Sequence, residues 1–74
     1  MYELNEFKEM AEKNLSIGDT IQILNSGESS LIGKKGKVTN IDDYGQIYGT
    51  WGKQVISYEF GDEFVVIKKG QING

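Results

Sequence analysis

The chain of 74 residues contains no cysteine and no histidine. Without cysteine there is no disulfide framework and no thiolate metal site. Without histidine the commonest general base and the commonest metal ligand are both missing. Arginine is absent too: all eight positive charges are lysines, against eleven acidic residues, for a net charge of −3. The planar fork that reads guanine edges and clamps phosphates in pairs is therefore unavailable. The charge balance also runs against the basic footprint usual in nucleic-acid binders. No apolar run approaches the length of a membrane span, and residues 1–14 alternate in charge where a signal peptide would carry an apolar core. These absences lead us to expect a non-catalytic cytoplasmic protein that uses no cofactor, holds no metal and keeps off membranes.

At this length one domain with a small core is expected, burying only about 60% of the surface of the unfolded chain. Residues 2–14 read as a short amphipathic helix. Leu4, Phe7, Met10 and Ala11 fall at helical spacing on one face, with Glu3, Glu6, Glu9 and Glu12 spread over the rest beside Lys8 and Lys13. A helix of three or four turns is marginal alone in water, so docking through Phe7 and Leu4 is expected.

From there the period changes to two. Gly18-Asp19 turns the chain into a strand over 20–24, with Ile21 and Ile23 on one face. Residues 25–30 are a loop by composition, long enough to bind something, and Leu31-Ile32 is an apolar anchor behind it. Gly33 and Gly36 turn the chain into a second strand over 37–41. Val38 and Ile41 have opposite parity, so either one of them points outward or a bulge resets the register; the bulge is favoured, because small barrels need such bends to close. Asp42-Asp43-Tyr44-Gly45 is a hairpin turn. A third strand is expected over 46–51, with Ile47, Gly49 and Trp51 on one face. Gly49 in mid-strand signals a bend or a close approach of another element. Gly52-Lys53 is a further tight turn, followed by a fourth strand over 54–58. A single helical turn is expected within 59–63, then a fifth strand over 64–68. The division expected is a helix at 1–14 packed on a barrel at 15–68, with a flexible tail at 69–74.

Gly18-Asp19-x-Ile21-x-Ile23, a loop, and Gly33-Lys34-Lys35-Gly36-Lys37-Val38 followed by Ile41-Asp42 resemble the KOW motif. That motif marks SH3-like barrels in ribosomal proteins and transcription elongation factors. From about residue 15 to 68 the chain is also similar to a bacterial and phage family of small SH3-like domains of unknown function. The similarity rests on Gly18-Asp19, Gly33 to Val38, Asp42-Asp43-Tyr44-Gly45-Gln46-Ile47, Trp51 and Asp62-Glu63-Phe64. The chain departs from that family at Gly49, where a β-branched residue is usual, and at the shorter Gly52-Lys53 turn. The resemblance implies a mainly β fold: a small five-stranded SH3-like, KOW-like barrel with a short N-terminal α-helix.

Four groups of residues are candidates for function. Lys34, Lys35 and Lys37, joined by Lys53, could hold phosphates beside amides released by Gly33 and Gly36. The plainer reading is a solubilising turn whose lysines keep other strands off a sheet edge. Tyr44 and Tyr48 suit an interface, being apolar with a polar tip, whereas Trp51 shares a face with Ile47 and reads as core. Asp42-Asp43 and Asp62-Glu63 have neither a histidine nor a calcium-loop spacing beside them, so turn and cap roles explain them best. The glutamates Glu3, Glu6, Glu9 and Glu12 are either a solvated face or an acidic patch for a basic partner.

A binding module of phage or mobile-element type is the favoured expectation. It would bind a protein, as an inhibitor of a host or antiphage (CRISPR-like) nucleoprotein machine. KOW-like binding of nucleic acid or the ribosome through Lys34, Lys35 and Lys37 is the alternative, and a structural accessory domain is a third.

Overall fold

The structure is a computed structural model, and it describes residues 4–70. Glu3 and the 71–74 part of the expected tail lie outside the described residues, as does the Leu4 side chain. Helix α1 spans Leu4–Asn14. Four antiparallel strands follow: β1 (Thr20–Asn25), β2 (Lys35–Ile41), β3 (Ile47–Gly49) and β4 (Glu63–Lys68). They form one open sheet in the order β3-β2-β1-β4. Short 3₁₀ turns lie at Ser29–Leu31 and Tyr58–Phe60.

Two parts of the five-strand expectation need correction. Among the described residues there are four strands, and the sheet they form does not close into a barrel. The stretch expected as a fourth strand, 54–58, pairs only at Ile56, whose amide and carbonyl exchange hydrogen bonds of 3.1 and 2.8 Å with Ile47. The reason lies one residue on. The Ser57 amide donates to Asp62 Oδ2 (3.0 Å), and the Ser57 hydroxyl accepts from the Glu59 amide, capping the 3₁₀ turn. Ile56 and Ser57 are consecutive and both buried, so the alternation that would continue a strand is broken.

The core is Ala11 and Leu15 beneath the sheet's inner residues Ile21, Ile23, Val38 and Ile47, with Leu31, Trp51 and Ile56. The bulge favoured between Val38 and Ile41 is present. Val38 pairs with Gly49 and Asn40 with Tyr48, leaving Thr39 as the extra residue and returning Ile41 to a place opposite Ile47. Trp51 is 5% exposed. Its indole lies over two glycines: a Cβ on Gly49 would come 2.1 Å from the ring, and one on Gly36 2.8 Å from it. The mid-strand glycine is thus the slot for the tryptophan, the close approach expected at Gly49. The indole N–H donates to the Gln54 carbonyl (2.9 Å), which satisfies its one polar atom.

The helix docks on the 42–46 hairpin. Gly45 is buried at φ +82°, and a Cβ there would come 2.5 Å from the Phe7 carbonyl carbon. Only glycine permits both that conformation and that approach. Lys8 adds an ion pair of 3.2 Å to Asp43, whose hydrogen bond, ahead of its charge, raises the lysine pKa. Ala11 and Leu15 are the helix-side residues that reach the core.

Candidate partner-binding surface

The carboxylates can be assigned first, because they are occupied. Asp19 is fully buried and accepts three hydrogen bonds: from the Ser16 amide (2.8 Å), the Lys69 ammonium (2.9 Å) and the Gly70 amide (2.8 Å). Burial pushes this carboxyl up, but the Gly70 and Ser16 amides and Lys69 outweigh it and leave the pKa below its ordinary value. Asp42 accepts from the Tyr44 and Gln46 amides (both 2.9 Å) and from the Tyr48 hydroxyl (3.0 Å). Asp62 accepts from the Ser57 amide (3.0 Å) and the Gly27 amide (3.3 Å). Each aspartate therefore ties loops or turns together. Among the described residues no three acidic side chains gather where they could hold a metal ion.

Three amides of the lysine loop that a phosphate would call on are already taken. The Gly33 amide donates to the Ile23 carbonyl (2.7 Å) and the Lys34 amide to the Leu31 carbonyl (3.0 Å). The Lys37 amide donates to the Thr50 hydroxyl (2.9 Å). Gly33, at φ +90°, makes the turn, and Gly36 makes room for Trp51. The glycines of the motif serve the sheet, and these three amides are already engaged within the fold. What remains is a row of side chains on the outer face of the sheet. Lys35 pairs in register with Gln22, and Lys37 with Thr20, while Gly36 and Val38 between them face the core. Lys34, Lys35, Lys37 and Lys53 are all exposed.

Of the two tyrosines, Tyr44 is half exposed on the hairpin tip. Tyr48 is less so, and its hydroxyl is held by Asp42, whose hydrogen bond raises the phenol pKa. The loop over 25–30 is fastened at both ends, by Gly27 to Asp62 and by buried Leu31, which leaves it little freedom to mould around a ligand.

On the helix, Glu6, Glu9 and Glu12 are exposed. Glu12 lies 4.0 Å from Lys8. Glu6 and Glu9 border a shallow pocket of about 260 Å³ with Met10 and Lys13, and Met10 is 43% exposed within it. Sequence reasoning placed Met10 on the docking face. The structure sets it at the solvent side, because docking at Gly45 and Ala11 turns the helix to present Glu6, Glu9, Met10 and Lys13 outward. The structure thus brings Glu6 and Glu9 together, and separately Lys35 and Lys37. Sequence reasoning missed Val65 and Ile67, which are 42% and 46% exposed on the outer side of β4. Their alternation with Phe64 and Val66 was visible, but which pair faced solvent was not. In comparisons with known proteins, no family model, no curated protein and no solved structure matches the chain.

Proposed function

We propose that this is a non-catalytic protein-binding module that meets a basic partner with the outer face of α1. The observation that carries it is the patch of Glu6, Glu9 and half-exposed Met10 around one shallow pocket, with Lys13 as its one basic member. An apolar side chain rimmed by carboxylates offers contact area together with charge selectivity, the usual division between the core and rim of an interface. The net charge of −3 favours approach to a positive surface. Such a module, of phage or mobile-element type and acting in the cytoplasm, would inhibit a host or antiphage nucleoprotein machine by occupying its basic groove. No helix among the described residues is long and apolar enough to cross a membrane, which accords with a partner met off the bilayer. The fold reading that accompanies this is SH3-like. In support, β1 pairs with both β2 and β4, and the Ile47–Ile56 bridge marks where a further strand would zip.

The test is cross-linking and capture from a candidate host, with two charge-reversed variants alongside the natural chain. Glu6→Lys with Glu9→Lys should abolish capture, whereas Lys35→Glu with Lys37→Glu should retain it. The opposite pattern would sink the helix reading.

The second reading, nucleic-acid binding, is favoured by one observation: Lys35 and Lys37 stand on the same outer face as Tyr48. It predicts that single-stranded RNA or DNA is bound at low salt, with an affinity that falls steeply as salt rises.

A further inference from the structure

Among the described residues the strand β4 is an edge of the sheet, with β1 as its one neighbour. Its backbone orientation follows from the register. The Ile23 amide and carbonyl bond to Lys34 and Gly33 on the β2 side, so those of Gln22 point to β4. Gln22 pairs with Val65. The amides and carbonyls of Phe64 and Val66 therefore face away from β1, and no described residue bonds to them. Such an edge is a template for another strand.

The chemistry of the strand says which one. From residue 62 the sequence reads Asp-Glu-Phe-Val-Val-Ile-Lys-Lys: acidic at the start, four apolar residues, basic at the end. An antiparallel copy of the same strand reverses that order. It sets Glu63 of each copy at the Lys68 end of the other, and lays Val65 and Ile67 of the two copies side by side. Among the described residues the side chains of Glu63 and Lys68 have no hydrogen-bond or ion-pair partner within their own chain. The irregularity that leaves Ile67 as an extra residue beside Thr20 lets both Ile67 and Lys68 lie exposed. We propose that β4 pairs antiparallel, about a two-fold axis, with β4 of a second copy of this chain. The two sheets then become one sheet of eight strands. A two-fold contact is self-complementary by construction, and a strand whose charges reverse from end to end meets that requirement. A contact of one short strand is of the small interface class, so the association is concentration-dependent.

Sedimentation velocity of the full chain tests this at low and high concentration. The mass should rise from 8.3 kDa toward twice that value with concentration. Hydrogen exchange at Phe64 and Val66 should slow in parallel. Val65→Lys with Ile67→Lys should hold the chain monomeric. Because that double change could act through folding, charge reversal supplies a second check: Glu63→Lys alone and Lys68→Glu alone should each weaken the dimer tenfold or more, and the combination should restore it. A chain that stays monomeric throughout would overturn the proposal, as would a dimer indifferent to all of these changes. The helix variants Glu6→Lys and Glu9→Lys should leave the dimer intact, which separates this inference from the helix reading above.

Discussion

Asp19 shows how one side chain sets the stability of a small domain. Its carboxylate is out of water and held by two amides and an ammonium. The folded pKa lies below the ordinary value, so the folded state binds this proton less readily than the unfolded chain. The stabilisation is therefore complete above the unfolded value of about 3.9 and is lost as pH falls through the lower folded value. Asp19→Asn should lower stability by about 2–3 kcal/mol near neutral pH, the cost of leaving buried donors poorly matched. Urea titrations at neutral and strongly acid pH would show the gap between variant and natural chain closing in acid. Gly49 makes a contrasting case, in which what matters is space. A methyl group there lies inside the Trp51 ring. Gly49→Ala should displace the indole and cost about 1–3 kcal/mol as overpacking, with the tryptophan emission shifted to the red.

At the scale of the element, the helix depends on the hairpin more than on its own propensity. Eleven residues are too few to hold a helix in water without a docking site. Gly45→Ala forces a side chain into the left-handed region and against the Phe7 backbone. Far-UV circular dichroism should then lose its helical part while Trp51 emission changes less, because the indole is seated against Gly36 and Gly49 of the sheet. The sheet was legible where parity decided it. Val38 and Ile41 favoured the bulge at Thr39, and Gly49 announced the close approach of Trp51. It was not legible at 54–58. Alternating residues there allow a strand, and the chain turns after Ile56 because Asp62, five residues on, takes the Ser57 amide and the Ser57 hydroxyl caps the 3₁₀ turn. The same limit applied to the surface. Helical periodicity put Met10 with the docking residues because Phe7, Met10 and Ala11 are close in angle. A contact at Gly45, a residue with no side chain to count, fixed the helix's rotation.

For the molecule as a whole, the informative contacts join segments far apart in sequence. Asp19 joins the turn after the helix to Lys69 and Gly70, fifty and fifty-one residues on. A Cβ on Gly70 would come 2.0 Å from the Gly18 carbonyl oxygen, so the two backbones are in contact. Lys69 and Gly70, which open the stretch expected as a tail, carry polar groups that complete a buried site near the start of the sheet. No local pattern could announce that, because Gly-Asp and Lys-Gly are ordinary turn and tail dipeptides when read alone. A chain ending at Lys68 should consequently lose about 2–3 kcal/mol, from the stranded Asp19 carboxylate. Asp19→Asn in the shortened chain should add much less than it costs in the full one, since both changes remove the same contacts. The four urea midpoints of that cycle measure the coupling. Additive losses would mean that Asp19 and the residues after Lys68 stabilise the fold independently, and that their mutual contacts carry none of the energy.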